Sequence, residues 1–374
     1  MERLNRRKVI PMISPINDWI KKNIPDRPLF YLLLSIFLGI SVIHIFGEML
    51  MPLLAAVAVS YLLEGIILQF IRFKIPRIAS VTIVFTVYIV FLAVAGIWLC
   101  PLLYRQIVHL GQQLPSMLGK GETLLNTLPE NYPDLITAFQ VEQVYAFISA
   151  SLSDFAKQVL AVSISSLKGL VTFTVYLFLV PFLVFFLIKD KQKIIAWGAR
   201  YAPPKNHLVA SVLEGVNQQI ANYIRGKAWE VFIIWGTTWL VYHMLGVQYA
   251  LLLSFLSGIS VIFPYIGVTF VFIPTFLIAY FQYGWEPNLL YTVSAYGIVQ
   301  LLDGFLLAPL LLSEVVNIHP VCIVIAILFF GGIWGFWGIF FAIPLATLVE
   351  ALLETWVQRQ GGRPAGSGDP PPSE

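Results

Sequence analysis

The chain has 374 residues, of which 58% are hydrophobic and 11% are charged, whereas a soluble domain carries about 25% charged residues. Its 23 basic and 20 acidic residues leave a net charge of only +3. This balance excludes a strongly basic nucleic-acid-binding protein, because phosphate binding needs a dense basic surface. The high hydrophobicity excludes a disordered chain. The composition therefore predicts an all-α polytopic membrane protein whose partner is the lipid bilayer.

Apolar segments long enough to cross a bilayer recur along the chain, since a crossing helix needs about 20 residues. The predicted spans are 29–46, 49–71, 78–104, 169–188, two spans within 231–285, 288–312 and 320–350. We therefore expect about eight transmembrane helices, with a turn near 246–248. Pro264 and the pair Gly331-Gly332 each permit a break, so the late segments are expected to be broken or re-entrant.

The basic residues of the loops predict the orientation of the chain. They concentrate before residue 29, in the connection at 72–77 and in 189–227, and the positive-inside rule places these segments in the cytoplasm. The 64-residue segment 105–168 carries four basic and five acidic residues and is expected to be external. Both termini are therefore predicted to be cytoplasmic. The expected regions are a basic N-terminus (1–28), spans one to three (29–104), an external helical segment (105–168), span four (169–188), a cytoplasmic amphipathic segment (189–228), spans five to eight (229–356) and a disordered tail (357–374).

Two of these segments show helical periodicity outside the membrane. Apolar residues recur at helical spacing in the external segment, on both sides of the turn-rich linker 128–134. In the cytoplasmic segment an apolar stripe at 209–223 lies opposite a polar face that includes Arg225. The stripe is typical of a helix packed on the membrane domain, and the alternative is a gate lever or a subunit contact.

Motifs for energy coupling and catalysis are absent. The two Gly-Lys pairs, at 119–120 and 226–227, lack the following Ser or Thr of a nucleotide-binding P-loop. There is no His-Glu-x-x-His motif, and the five histidines do not cluster at metal-ligand spacing. We therefore expect no cofactor, no metal and no enzymatic activity.

The sign of the charges in the second half of the chain is more informative. From residue 228 to residue 358 there are six acids and no lysine or arginine. Asp303 lies deepest in a predicted span, and Gln300 shares its helical face. Because an unpaired carboxylate at mid-membrane is costly, Asp303 is a candidate for ion or proton coupling. The alternative is a protonated or hydrogen-bonded side chain that holds helices together.

Glu64, in the second span, is the other intramembrane acid. It lies near the cytoplasmic end of that span. Pairing with Arg72 or Lys74 by snorkelling is therefore a strong structural alternative to a transport role.

Two further patterns interrupt apolar runs. Pro264, Tyr265 and Gly267 break one of them, and in transporters such broken helices point their ends at substrates or ions. A simple kink between spans explains this break equally well. A second run places small residues at helical spacing, which favours close helix packing. These residues are Gly331, Gly332, Gly335 and Gly338.

Several motifs together resemble the autoinducer-2 exporter family of transporters. In chain order they are 61–64 (YLLE), 180–191 (VPFLVFFLIKDK), 217–227 (NQQIANYIRGK), 263–267 (FPYIG), 300–304 (QLLDG), 317–320 (NIHP), 330–335 (FGGIWG) and 342–345 (AIPL). The resemblance covers about residues 29 to 355, and within the family it is strongest to a bacterial permease. Where many members have proline after Gly267, this chain has Val268.

The resemblance implies eight transmembrane segments in a bacterial inner membrane and a role in transport. Activities in the family include export of the quorum-sensing molecule autoinducer-2 and exchange of sodium or lithium for protons. The first hypothesis is a permease that exports a small polar solute, with or without proton coupling. The alternatives are a monovalent cation/proton antiporter centred on Asp303 and a non-transporting membrane scaffold. Aromatic and glycine-rich faces are compatible with a homo-oligomer.

Overall fold

The computed structural model describes residues 27–131, 142–143, 146, 149–150, 154, 157, 167–200, 207–264, 266–312 and 319–350. Within these ranges all regular secondary structure is helical, which confirms the predicted all-α fold. Residues 1–26 of the basic N-terminus, most of the second half of the external segment, the linker beyond residue 131, Tyr265 and the C-terminal tail lie outside the described residues.

The described residues form the following helices in chain order. They are α1 (Arg27–Arg72), α2 (Arg77–Val94), α3 (Cys100–Asn131), α4 (Leu167–Lys189), α5 (Lys191–Ala199), α6 (His207–Met244), α7 (Ala250–Ser260), α8 (Ile266–Tyr283), α9 (Pro287–Leu302), α10 (Ala308–Leu312), α11 (Pro320–Trp334), α12 (Phe336–Phe340) and α13 (342–350). Two π-helical segments, Ala95–Leu99 and Asp303–Leu307, join α2 to α3 and α9 to α10.

Contacts divide the chain into two compact units. One unit comprises Met1–Met51, Lys191–Ile220 and Ile318–Glu374, and the other comprises Pro52–Asp190 and Ala221–Asn317.

Within the described residues, four helical stretches are long and apolar enough to cross a membrane. They are Met49–Arg72, Arg77–Met117, Ile266–Tyr283 and Pro287–Leu312. Shorter apolar helices lie at Thr174–Lys189, Ala250–Ser260 and Val321–Trp334. These helices confirm a polytopic membrane protein, while the total of eight spans stays a prediction.

The first two predicted spans are joined in the helix α1, which is kinked at Phe46 (φ −109°, ψ 17°). The third predicted span continues without interruption through the π-helical segment into α3. Its apolar stretch of 41 residues is about 60 Å long, roughly twice the hydrocarbon thickness. A single helix therefore crosses the boundary at residue 104 that was expected between membrane and external parts.

Helices α1, α2 and α4 pack around an apolar core in the larger unit. Ala56, Ile67, Val84 and Val184 are buried in it, each with at most 4% of its surface exposed. The predicted fourth span, 169–188, corresponds closely to α4.

Helices α7 and α8 form a hairpin that returns to the end of α6 from which it started. The turn after α6, predicted near 246–248, leads directly into α7. At the end of α8 the Tyr283 hydroxyl donates to the Leu245 carbonyl at 2.8 Å, and the Gln282 amide donates to the Gly246 carbonyl at 2.8 Å. With only 11 residues, α7 is too short to cross a bilayer. The predicted break at Pro264 therefore forms the tip of the α7–α8 hairpin, while its re-entrance into the membrane stays a prediction.

The tip of this hairpin depends on one glycine. A Cβ atom at Gly267 would collide with the carbonyl of Ser260 at the end of α7. Only glycine allows the first turn of α8 to lie so close to the α7 backbone. Tyr296 of α9 then donates from its hydroxyl to the Val268 carbonyl at 2.6 Å, which attaches the hairpin to α9.

A second hairpin in the smaller unit joins α11 and α12. The chain turns at Gly335, whose φ of +58° favours glycine, three residues beyond the Gly331-Gly332 pair where a break was expected. A Cβ atom at Gly338 would collide with the Phe330 carbonyl, and one at Gly331 would touch Ile339. A Cβ atom added at Gly332 or at Gly335 would have no other atom within 4 Å. The close contacts thus lie between consecutive helices rather than along one helical face.

Candidate functional site

A buried ion pair on α6 lies at the centre of the candidate site. Lys227 and Glu230 retain only 5% and 2% of their surface. The Lys227 ammonium donates to Oε1 of Glu230 at 2.9 Å and lies 2.9 Å from Oε2. It also donates to the carbonyl of Val261 at 2.9 Å. Lys227 therefore links α6 to the tip of the α7–α8 hairpin, and this third contact compensates part of the cost of burying the charge.

Asp303 and Gln300 bring further polar groups to the same unit. The carboxylate of Asp303 is buried and lies close enough to Glu230 and Lys227 to interact with both electrostatically. Its Oδ1 atom and both polar atoms of the Gln300 amide have no hydrogen-bond partner among the described residues. An unsatisfied buried polar group costs about 1–3 kcal/mol. Such groups are therefore expected to receive water, a proton, an ion or a solute.

The backbone at Asp303 is also unusual. Asp303 opens the five-residue π-helical segment Asp303–Leu307. Single π-helical turns inside α-helices occur frequently at functional sites, because they shift the hydrogen-bond register and the side-chain direction. The predicted span 288–312 is thus interrupted at the residue that the charge pattern singled out.

Sequence reasoning missed Lys227 as a member of this site. The sequence predicts a cytoplasmic segment at 189–228, which places Lys227 outside the predicted membrane domain. The structure instead shows one 38-residue helix from His207 to Met244. The missed signal is the spacing of Lys227 and Glu230, which lie three residues apart on one helical face.

The predicted residues of the hairpin lie near this cluster in the chain. Pro264 follows Val261, whose carbonyl Lys227 binds, and Gly267 supports the turn from the other side. Tyr265 lies outside the described residues. The structure therefore connects the predicted break to the charged cluster through the backbone of the hairpin tip.

Glu64 belongs to a different cluster of the same unit. The Arg77 guanidinium donates to both carboxylate oxygens of Glu64, at 3.2 and 3.3 Å, and to the Ile188 carbonyl at 3.2 Å. The pairing is therefore with Arg77 rather than with Arg72 or Lys74, the partners proposed from the sequence. Arg77 fastens α2 to α1 and to the last turn of α4.

Arg225 lies beside Gly65 rather than with Asp303. Its Nε donates to the Ala221 carbonyl at 3.0 Å. A Cβ atom on Gly65 would lie 2.6 Å from Cδ of Arg225. Arg225 therefore packs α6 against α1 and is separate from the unsatisfied groups of Asp303 and Gln300.

The described residues contain no group of three or more His, Cys, Asp or Glu side chains that could hold a metal ion. The chemistry of the described site is that of buried charges and one amide. This combination suits proton, ion or polar-solute binding.

Comparison with known proteins gives the family. Residues 30–358 match the protein family described as "AI-2E family transporter". The chain is 38% identical to "Putative permease PerM" of Escherichia coli (strain K12) over 93% of its own length and 99% of that relative. It is 24% identical to "Putative transport protein YueF" of Bacillus subtilis (strain 168), with 86% and 90% covered, and 22% identical to "AI-2 transport protein TqsA" of E. coli, with 88% and 92% covered.

The match extends over nearly the whole chain and includes both hairpins and the charged cluster. Together with the apolar helices it confirms the resemblance that the sequence motifs indicated. The chain belongs to the AI-2E family of transporters and is a multi-pass membrane transport protein.

Proposed function

We propose that the chain is a proton-coupled permease that exports a small polar solute such as autoinducer-2 across the bacterial inner membrane. The observation that carries this proposal is the pair of unsatisfied groups on Asp303 and Gln300. Gln300 and Asp303 lie on consecutive helical turns of one unit, close to the hairpin tip that Lys227 binds. A buried amide that lacks partners suits a solute with hydroxyl or carbonyl groups.

The charge of the cluster supports proton coupling. Lys227 contributes +1, and Glu230 and Asp303 each contribute −1 when ionised, so the three groups sum to −1. A surplus charge is costly to bury. Uptake of one proton by the cluster cancels it, and release of that proton restores it. The cluster can therefore alternate between a neutral and a negative state as the solute moves.

The flux test compares candidate substrates in parallel. Purified protein in proteoliposomes is supplied with autoinducer-2, Na⁺ or Li⁺, and solute flux and internal pH are followed together. We expect autoinducer-2 flux that responds to a pH gradient, and loss of that response in Asp303→Asn. Asp154→Asn is the matched control, because Asp154 is exposed and pairs only with exposed Lys157 among the described residues. Equal responses in the two variants would contradict the proposed role of Asp303.

A monovalent cation/proton antiporter is the second candidate. It is favoured by the same surplus negative charge, since Na⁺ or Li⁺ can replace the proton as the neutralising ion. Collapse of a pH gradient by Na⁺ or Li⁺ without any organic solute would support this function over the first. If none of the three species moves, the non-transporting scaffold becomes the better hypothesis.

The orientation with both termini in the cytoplasm remains part of the proposal. It is supported by contacts that join segments predicted on the same side. Tyr249 of the external turn contacts Gln113 of α3, and Arg77 contacts Ile188 beside the basic segment after α4. A reporter fused within the linker 128–134 is expected to be accessible from outside the cell, and access from the cytoplasm would reverse the orientation.

A further inference from the structure

We propose that α3 and the turn after α6 form a second binding site, distinct from the charged cluster, for a small hydroxylated carboxylate. A pocket of about 380 Å³ lies between them. It is lined by Leu102, Arg105, Gln106, His109, Gln113, Gln248 and Tyr249. All but Leu102 carry a polar group in the side chain, and none is an acid. The pocket therefore favours an anionic or acceptor-rich ligand.

The hydrogen bonds around the pocket fix which groups face a ligand. The Leu252 backbone N–H donates to Oε1 of Gln106 at 2.9 Å. The Tyr249 hydroxyl donates to Oε1 of Gln113 at 2.8 Å. Both amide oxygens are thus occupied as acceptors, and each side chain has its NH₂ group left to donate. The pocket consequently offers two amide donors to a bound molecule.

The hydrogen bonds of the Tyr249 hydroxyl also determine the tautomer of His109. The single proton of the Tyr249 hydroxyl is already given to Gln113, so at its 3.3 Å contact with His109 Nδ1 the tyrosine oxygen accepts. A neutral imidazole that donates from Nδ1 keeps Nε2 as an acceptor. His109 can therefore receive a hydrogen bond from a ligand hydroxyl.

Arg105 supplies the charge. It is exposed at the pocket, and the described residues give it no hydrogen bond or ion pair. A guanidinium binds a carboxylate through two parallel hydrogen bonds. Arg105, two amide donors and one imidazole acceptor together match a carboxylate that also carries hydroxyl groups.

The backbone beneath the pocket is strained in a way that supports a binding role. Tyr249 has a φ of +58°, in the left-handed region that a residue with a bulky side chain rarely adopts. The side-chain bonds to Gln113 and His109 hold it there. Strained residues cluster at ligand-binding sites, where they orient side chains in advance.

The test uses gluconate, a hydroxylated carboxylate, and sorbitol, its neutral counterpart. Binding to the purified full chain in detergent is measured by titration calorimetry, so that transport is not required and the result is independent of the charged cluster. We expect saturable gluconate binding with a Kd of roughly millimolar and no saturable binding of sorbitol. Arg105→Gln is expected to weaken gluconate binding by at least about tenfold, because a charge-assisted hydrogen bond is lost.

Tyr249→Phe separates orientation from charge. It leaves Arg105 in place but removes the hydroxyl that orients Gln113 and His109, so we expect gluconate to bind several-fold more weakly. Absence of saturable gluconate binding to the parent, or equal affinity of the parent and Arg105→Gln, would overturn the site. Sorbitol binding as tight as gluconate binding would overturn the assignment to carboxylates. Thermal unfolding of each variant confirms that an affinity change does not reflect a loss of folded protein.

Discussion

Two ion pairs in the larger unit share one arrangement of contacts but differ in the charge around them. Arg77 binds Glu64 and the carbonyl of Ile188, and Lys227 binds Glu230 and the carbonyl of Val261. In each, one cation joins a carboxylate on one helix to the backbone of another segment.

The pairs differ in burial and in the groups of the Lys227 pair's surroundings. In the Glu64 pair the carboxylate is buried, but 32% of the Arg77 side chain is accessible. The Lys227 pair is buried, with 6% and 2% of its side chains accessible, and Asp303 adds a second carboxylate within electrostatic range. A balanced pair fastens helices together. A buried cluster with one surplus carboxylate is costly unless a cation neutralises it, and this cost is the basis for proposing coupling at the second cluster.

Removal of Lys227 is expected to have the largest effect on stability. Lys227→Met leaves Glu230 buried without its cation and the Val261 carbonyl without its donor, so we expect a loss of about 3–5 kcal/mol in unfolding free energy. Denaturation in detergent measures it. The double variant Lys227→Met/Glu230→Met removes both charges and should recover most of the loss. A single variant as stable as the parent would show that the pair is not energetically coupled.

A substitution that disturbs the close contact at the hairpin tip is expected to have the next largest effect on stability. Gly267→Ala forces a methyl group against the Ser260 carbonyl, and we expect a loss of about 1–3 kcal/mol. Gly297→Ala is the matched control, because a Cβ atom there has nothing within 4 Å and alanine favours the helix. Thermal unfolding of the two variants tests the comparison. Equal melting temperatures would mean that the tip tolerates a wider separation of α7 and α8.

The Glu64–Arg77 pair is expected to show the smallest effect. Glu64→Gln weakens a pair that is one-third exposed on the arginine side, so we expect at most about 1 kcal/mol in stability. Its transport should keep the parent's dependence on the pH gradient. Proteoliposome flux at several pH gradients measures that dependence. A loss of it in Glu64→Gln would show that coupling depends on the Glu64–Arg77 pair, which contradicts its proposed location at Asp303.

The sequence predicted those parts of the fold that depend on local composition. Apolar runs indicated a polytopic helical protein, and the glycine-containing turn after α6 and the break at Pro264 lie where expected. The sequence also predicted Asp303 as a site residue. Burial of a carboxylate in a membrane is costly, and this cost does not depend on how the rest of the helix is arranged.

Features that depend on helix continuity or tertiary contact were not predictable in this way. Lys227 reads as a loop residue because basic residues dominate the segment before it, yet α6 runs through it without a break. The second hairpin turns at Gly335 rather than at the earlier glycine pair, and a Cβ atom at Gly331 would collide with Ile339 across that hairpin. The pocket beside Arg105 joins residues about 140 positions apart, and no local pattern reports such a contact.

The number of protons moved with each solute molecule tests the central claim most directly. In proteoliposomes containing the parent chain, we expect about one proton per solute, equal to the surplus charge of the cluster. Asp303→Asn should still exchange solute across the membrane at equal pH, but without proton movement and without a response to a pH gradient. Unchanged proton movement in Asp303→Asn would contradict the account.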